Sequence, residues 1–177
     1  MTSNPIKINR APVMTLWAVV VAERLGYDEQ TALTLGKSVT GLNAQSKGRR
    51  LGIYEEAEEK EAKARPEKER APGEQTSVSL LGRPVPAVYT KEGLRALAKG
   101  KPVNPKSVQR YLEQRFGERL PDARAAMQTL AESMDPGELS RRAYSLYEQF
   151  RPEIPAGKRG WGATGELDLG KIKALAG

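Results

Sequence analysis

Apolar positions at helical spacing open the chain. Leu16 to Ala22 is apolar throughout, and the pattern predicts a first helix from about Thr15 to Leu25, with Gly26 just past its end, where glycine is the usual residue. Asp28 offers a carboxylate to the orphan amides of a second helix, over 28–42, in which Ala32, Leu35, Val39 and Leu42 share one face. Gly36, Gly41 and Gly48 weaken that helix and favour a split. From Glu55 to Gln75 apolar residues are scarce and charge is dense. The first half suits a solvated helix with Glu–Lys pairs, and the part beyond Pro66 reads as a linker.

Val78 to Val88 predicts a short hairpin with Gly82–Arg83 at its turn. Pro84 and Pro86 confine it to edge strands or to a turn outside any sheet. Helical signals then dominate. Thr90 is placed to cap a short helix reaching Ala98. Asn104–Pro105 is a cap followed by proline at the first helical position, opening a helix over 104–117 with Val108, Leu112 and Phe116 on one side. Ala123, Met127, Leu130 and Met134 align in the next helix, from Pro121. Asp135 to Glu138 forms a capping box before the stripe Leu139, Ala143, Leu146 and Phe150, and a last helix covers Asp168 to Ala176. The expected fold is mainly α, with helix-turn-helix-like pairs and one short β-hairpin. Its parts are a basic helical unit over 1–54, a charged linker over 55–76 and a helical unit over 77–177.

No apolar run approaches the roughly 20 residues that span a bilayer, and the N-terminal MTSNPIKINR lacks the order of a secretory signal. A cytoplasmic location and no membrane partner are expected. The 177 residues include no cysteine and no histidine. That removes thiolate nucleophiles, the usual zinc ligands and the commonest general base. No carboxylate pair, Ser-Lys pair or phosphate-binding glycine loop stands in a recognisable catalytic setting, so the reading is of a non-enzyme without a cofactor.

The net charge of +7 is unevenly spread. Over 30–54 the chain carries Lys37, Lys47, Arg49 and Arg50 and no acid. Over 55–76 eight acids face five bases. Over 77–110 seven bases face only Glu92. Both basic blocks coincide with a helix–turn–helix-like spacing. Around Ala22, Gly26 and Tyr27, a small residue at the crossing precedes the turn by four positions, with Val21 and Leu25 as anchors. Leu94 to Phe116 (LRALAKGKPVNPKSVQRYLEQRF) repeats the arrangement, with Pro102 an atypical turn residue. Each segment, of about 20 residues, resembles the helix-turn-helix motif of many bacterial regulators.

The resemblance implies major-groove reading of duplex DNA. Gln30, Thr34 and Lys37 would face outward from the first pair, with Lys47, Arg49 and Arg50 on phosphates. Lys106, Ser107, Gln109 and Arg110 would face DNA from the second pair, with Lys99 and Lys101 reaching phosphates from the turn. Lys158 and Arg159 add cations beside Trp161, itself read as folding back into the core. A regulator or architectural protein of the nucleoid is expected, as a homodimer unless the two motifs of one chain form the pair. The alternatives are packed helical hairpins whose basic faces dock on an acidic protein, and RNA binding. At 6% aromatic residues the chain lacks the stacking platform typical of single-strand readers.

Overall fold

A computed structural model describes residues 5–50, 75–153 and 164–177. In chain order the elements are β1 (Ile6–Ile8), α1 (Arg10–Arg24), α2 (Glu29–Arg50), β2 (Gln75–Leu80), β3 (Arg83–Thr90), β4 (Gly93–Ala98) and β5 (Lys101–Pro102). Then follow α3 (Pro105–Phe116), a 3-10 turn (Gly117–Arg119), α4 (Leu120–Glu132), α5 (Pro136–Phe150), β6 (Gly165–Leu167) and α6 (Leu169–Leu175). The strands form a four-stranded antiparallel sheet, β2-β3-β4-β5, and a two-stranded one, β1-β6. The expectation of a mainly α fold with one hairpin is therefore corrected: the protein is an α+β mixture.

Helix α1 is the centre of the molecule. Every residue from Pro12 to Ala22 is buried, as an all-round apolar helix must be. It starts five residues before the expected Thr15, because Pro12 falls in the first turn, where a proline is tolerated. Trp17 donates its indole N–H to the Ala143 carbonyl (2.9 Å) and meets the Phe150 ring edge-on at 5.3 Å. Helices α2, α3, α4 and α5 all pack on α1. The units expected over 1–54 and 77–177 thus share one continuous core, and most of the intervening 55–76 segment lies outside the described residues.

Helix α2 is pressed between α1 and the sheet. On the α1 side, a Cβ at Gly36 would sit 2.7 Å from the Thr15 carbonyl oxygen and 2.8 Å from Val19 Cγ2. One turn on, the Thr15 and Thr40 hydroxyls share a hydrogen bond of 2.8 Å. On the other side three hydroxyls at helical spacing meet backbone groups of β4. Thr31 Oγ1 donates to the Leu94 carbonyl (2.8 Å), the Ala96 N–H donates to Thr34 Oγ1 (2.9 Å), and Ser38 Oγ donates to the Leu97 carbonyl (2.7 Å). Side chains of a helix thus satisfy backbone groups that a neighbouring strand would otherwise take.

The segment expected as a helix from Thr90 to Ala98 is strand β4, paired with β3 from Thr90↔Gly93 to Ala87↔Ala96. Its Leu, Arg and Ala residues favour helix locally, but Ala87 and Ala96 are small enough to let α2 lie close on the sheet, and tertiary pairing overrides propensity. The first hairpin turns at Leu81–Gly82, one residue before the expected Gly82–Arg83. Both turn residues have positive φ, 51° and 76°, as in a two-residue primed turn. A leucine is held there because its side chain is buried in the core. That loop makes Leu80–Arg83 the hydrogen-bonded closing pair, so Ser79↔Pro84 and Ser77↔Pro86 are non-bonded pairs. The prolines then face the edge toward β4, whose ladder with β3 begins only at Ala87. Among the described residues no helix is long and apolar enough to cross a membrane.

Two stability effects follow. Thr34→Val leaves the buried Ala96 N–H unpaired and is expected to cost about 1–3 kcal/mol in urea unfolding, whereas Thr34→Ser, keeping the hydroxyl, costs clearly less. Gly36→Ala should destabilise by about 1–3 kcal/mol through overpacking, reversing the gain of about 1 kcal/mol that glycine-to-alanine brings inside an ordinary helix.

Candidate nucleic-acid interface

A reading helix must keep one face clear over several turns, and α2 does not do so from Glu29 to Asn43. Residues 31 to 36 and 38 to 40 are buried. Thr34, expected to face DNA, is fully buried and bonded to Ala96. Gln30 is exposed, but its Oε1 accepts from Arg95 Nη2 at 2.9 Å. Arg95 itself is buried, with further bonds to the Leu94 and Glu92 carbonyls. Of the outward residues expected from this pair, Lys37 alone is exposed without a hydrogen-bond or carboxylate partner among the described residues. The helices around Gly26 build the core. Lys47, Arg49 and Arg50 fall in the C-terminal turns of α2, and Lys158, Arg159 and Trp161 lie outside the described residues.

The second motif is corrected in a different way. Its first helix is strand β4, and its turn is a β-hairpin loop in which Lys99 and Gly100 have φ of 53° and 79°. The Leu97↔Pro102 and Ala98↔Lys101 pairs close that loop, so Pro102 is a strand residue and not a link between helices. Its second helix exists as expected. Asn104 caps α3, accepting from the Lys106 N–H at 2.9 Å, and Ser107 Oγ donates back to the Asn104 carbonyl at 2.7 Å. Val108, Leu112 and Phe116 are its buried residues.

With that stripe inward, the helical period places Lys106, Ser107 and Arg110 on the exposed side. Gln109 is half-buried at the flank, and its amide donates to Glu113 at 3.2 Å, which withdraws it from base contact. Lys99 and Lys101 are exposed on the loop just ahead of α3. No acid occurs between Glu92 and Glu113, and among the described residues no carboxylate pairs with Lys101, Lys106 or Arg110.

Several cations elsewhere in the molecule are neutralised. Arg124 bonds Glu23 at 2.6 Å and lies 3.7 Å from Glu29, and burial raises the Glu23 carboxyl above its ordinary pKa against the pull of Arg124. Arg142 pairs with Glu138, Arg119 with Asp122 and Lys171 with Glu153. The charge of Lys101, Lys106 and Arg110, unpaired with any carboxylate among the described residues, is thus gathered at the β4–β5 loop and α3.

One further constellation escaped the sequence reading. The Tyr111 ring, half-buried where α3 meets α2, has Lys37 Nζ at 5.7 Å and Arg115 Cζ at 5.5 Å from its centroid. The Tyr111–Arg115 half shows in the i, i+4 spacing, whereas the Lys37 half depends on how two helices pack. Burial raises the Tyr111 pKa while Arg115 opposes it, so the phenol keeps its proton at neutral pH.

No protein-family model, no curated protein and no solved structure matches this chain.

Asn104→Ala is expected to destabilise the protein by about 1 kcal/mol through loss of the cap, and Asn104→Asp to restore most of it. Urea unfolding of the two variants beside the native protein checks this.

Proposed function

We propose that the protein binds duplex DNA through the β4–β5 loop and the outer face of α3. Lys99, Lys101, Lys106 and Arg110 would contact phosphates, and Ser107 would add a hydroxyl. The observation that carries the reading is the gathering of exposed Lys101, Lys106 and Arg110 on one acid-free stretch, without a carboxylate partner among the described residues, while Arg124, Arg142 and Lys171 are each paired with one. The positive end of the α3 dipole points the same way. Most of these groups are point charges suited to a backbone, and Gln109, the side chain best suited to a base edge, is tied to Glu113. The binding is therefore directed mainly at phosphates and tolerant of sequence, closer to an architectural role than to site-specific regulation. The expectation of a dimer rested on paired reading helices and loses its premise with them.

The test is fluorescence anisotropy of a labelled random duplex at several salt concentrations. Affinity should fall log-linearly with salt. The quadruple alanine variant at Lys99, Lys101, Lys106 and Arg110 should lower the slope by roughly 0.9 for each phosphate no longer neutralised. An unchanged slope in that variant rejects this surface, and no binding by the native protein even at low salt rejects nucleic acid altogether and turns the search to acidic protein partners.

A further inference from the structure

Lys37, Tyr111 and Arg115 come from two helices and meet at one point. Two cations flank a single ring at 5.7 and 5.5 Å, and no carboxylate pairs with either among the described residues. The Tyr111 hydroxyl has no hydrogen-bond partner there, although the ring is half-buried. The cluster therefore offers an ammonium and a guanidinium, which only donate, and a phenol hydroxyl that can donate beside them. Two positive charges gathered at one ring attract an anion at its rim more strongly than either does alone. The ring holds both cations in place by their attraction to its face, so little side-chain freedom is lost when an anion arrives.

The position of the cluster on α3 decides what kind of anion suits it. Tyr111 and Arg115 lie four residues apart along one flank of the helix, and Lys106 and Arg110 along the other. At 100° per residue the two pairs are about 140° apart around the axis, with exposed Ser107 and Gln114 on the face between them. No acidic side chain of α3 stands on that arc, because Glu113 lies beyond Lys106, toward Gln109. A donor cluster on each flank and a polar ridge between them fit a polyanion that lies over the helix, not a single small anion.

We propose that Lys37, Tyr111 and Arg115 form a second phosphate site, and that the DNA backbone crosses α3 from the Lys106–Arg110 flank to the α2 side. This rests on the duplex-binding reading above and adds its direction and its second anchor. The helix with its side chains is about 10–12 Å wide, and one strand carries a charge for each roughly 3.4 Å of axis. The crossing backbone therefore presents a few successive phosphates to the two flanks. Helix α3 lies across the backbone, whereas a recognition helix lies along the major groove.

The experiment measures the salt dependence of duplex binding by the full chain for the native protein, Lys37→Ala/Arg115→Ala and Tyr111→Phe, with thermal melting to show that each is folded. Both alanine positions are exposed, so the double variant should fold. It should lower the salt slope by roughly 0.9 for each of the two cations removed, in addition to the decrease measured for the loop and α3 variant. Tyr111→Phe keeps the ring that seats the cations and removes only the hydroxyl, so it should weaken binding severalfold at every salt concentration with the slope unchanged. A native slope in the double variant, beside a reduced slope in the quadruple variant, overturns the second site and leaves the proposed function standing. Failure of the native protein to bind overturns both.

Discussion

A helix laid along a strand has nothing in its backbone to offer that strand, because its own amides and carbonyls are already paired. Beside the four-stranded sheet the problem is solved by side chains. Thr31, Thr34 and Ser38 of α2 bond Leu94, Ala96 and Leu97 of β4, and β5 takes over where the hydroxyls end. The opposite side of the same helix is kept bare at Gly36 so that α1 can approach to backbone contact. Sheet, α2 and α1 are therefore stacked at distances set by hydroxyls on one side and a glycine on the other. The loop bearing Lys99 and Lys101, and α3 behind it, hang from β4 and inherit their position from that stack.

This arrangement explains what could be read from the chain. The helix caps were legible because they are local. Asn104 and Asp135 each accept a backbone amide at the start of a helix, and the apolar stripes behind them are buried as their spacing requires. Strand β4 was not legible, since Leu94 to Ala98 favour helix and become strand only through pairing with β3 and bonding to α2. Strands β1 and β6, three residues each, are too short for alternation to show and are joined only across the whole chain. Thr34 misled for a related reason. A polar residue on an amphipathic helix reads as solvent-facing, and nothing nearby in sequence announces a strand edge waiting for its hydroxyl.

The candidate site divides along the same line. The acid-free block from Leu94 to Leu112 is a property of the chain, and Lys99, Lys101, Lys106 and Arg110 within it are exposed, whereas Arg95 is buried. The block containing Lys37 is also basic, yet its helix is enclosed from Thr31 to Thr40 apart from Lys37, which meets α3 through the Tyr111 ring. Charge counted along a sequence locates excess; packing decides which charges share a surface and which are spent on Glu23, Asp122, Glu138 or Glu153.

Pro84 and Pro86 carry a consequence beyond the length of one ladder. An open strand edge with alternating donors and acceptors is a template for a strand of another molecule. On the stretch of β3 that precedes Ala87, the two positions whose amides would point outward are both prolines and have no donor. That edge cannot recruit a second copy by strand addition. Where copies of the chain are crowded together, that stretch of β3 gives a neighbouring strand no amide to anneal on.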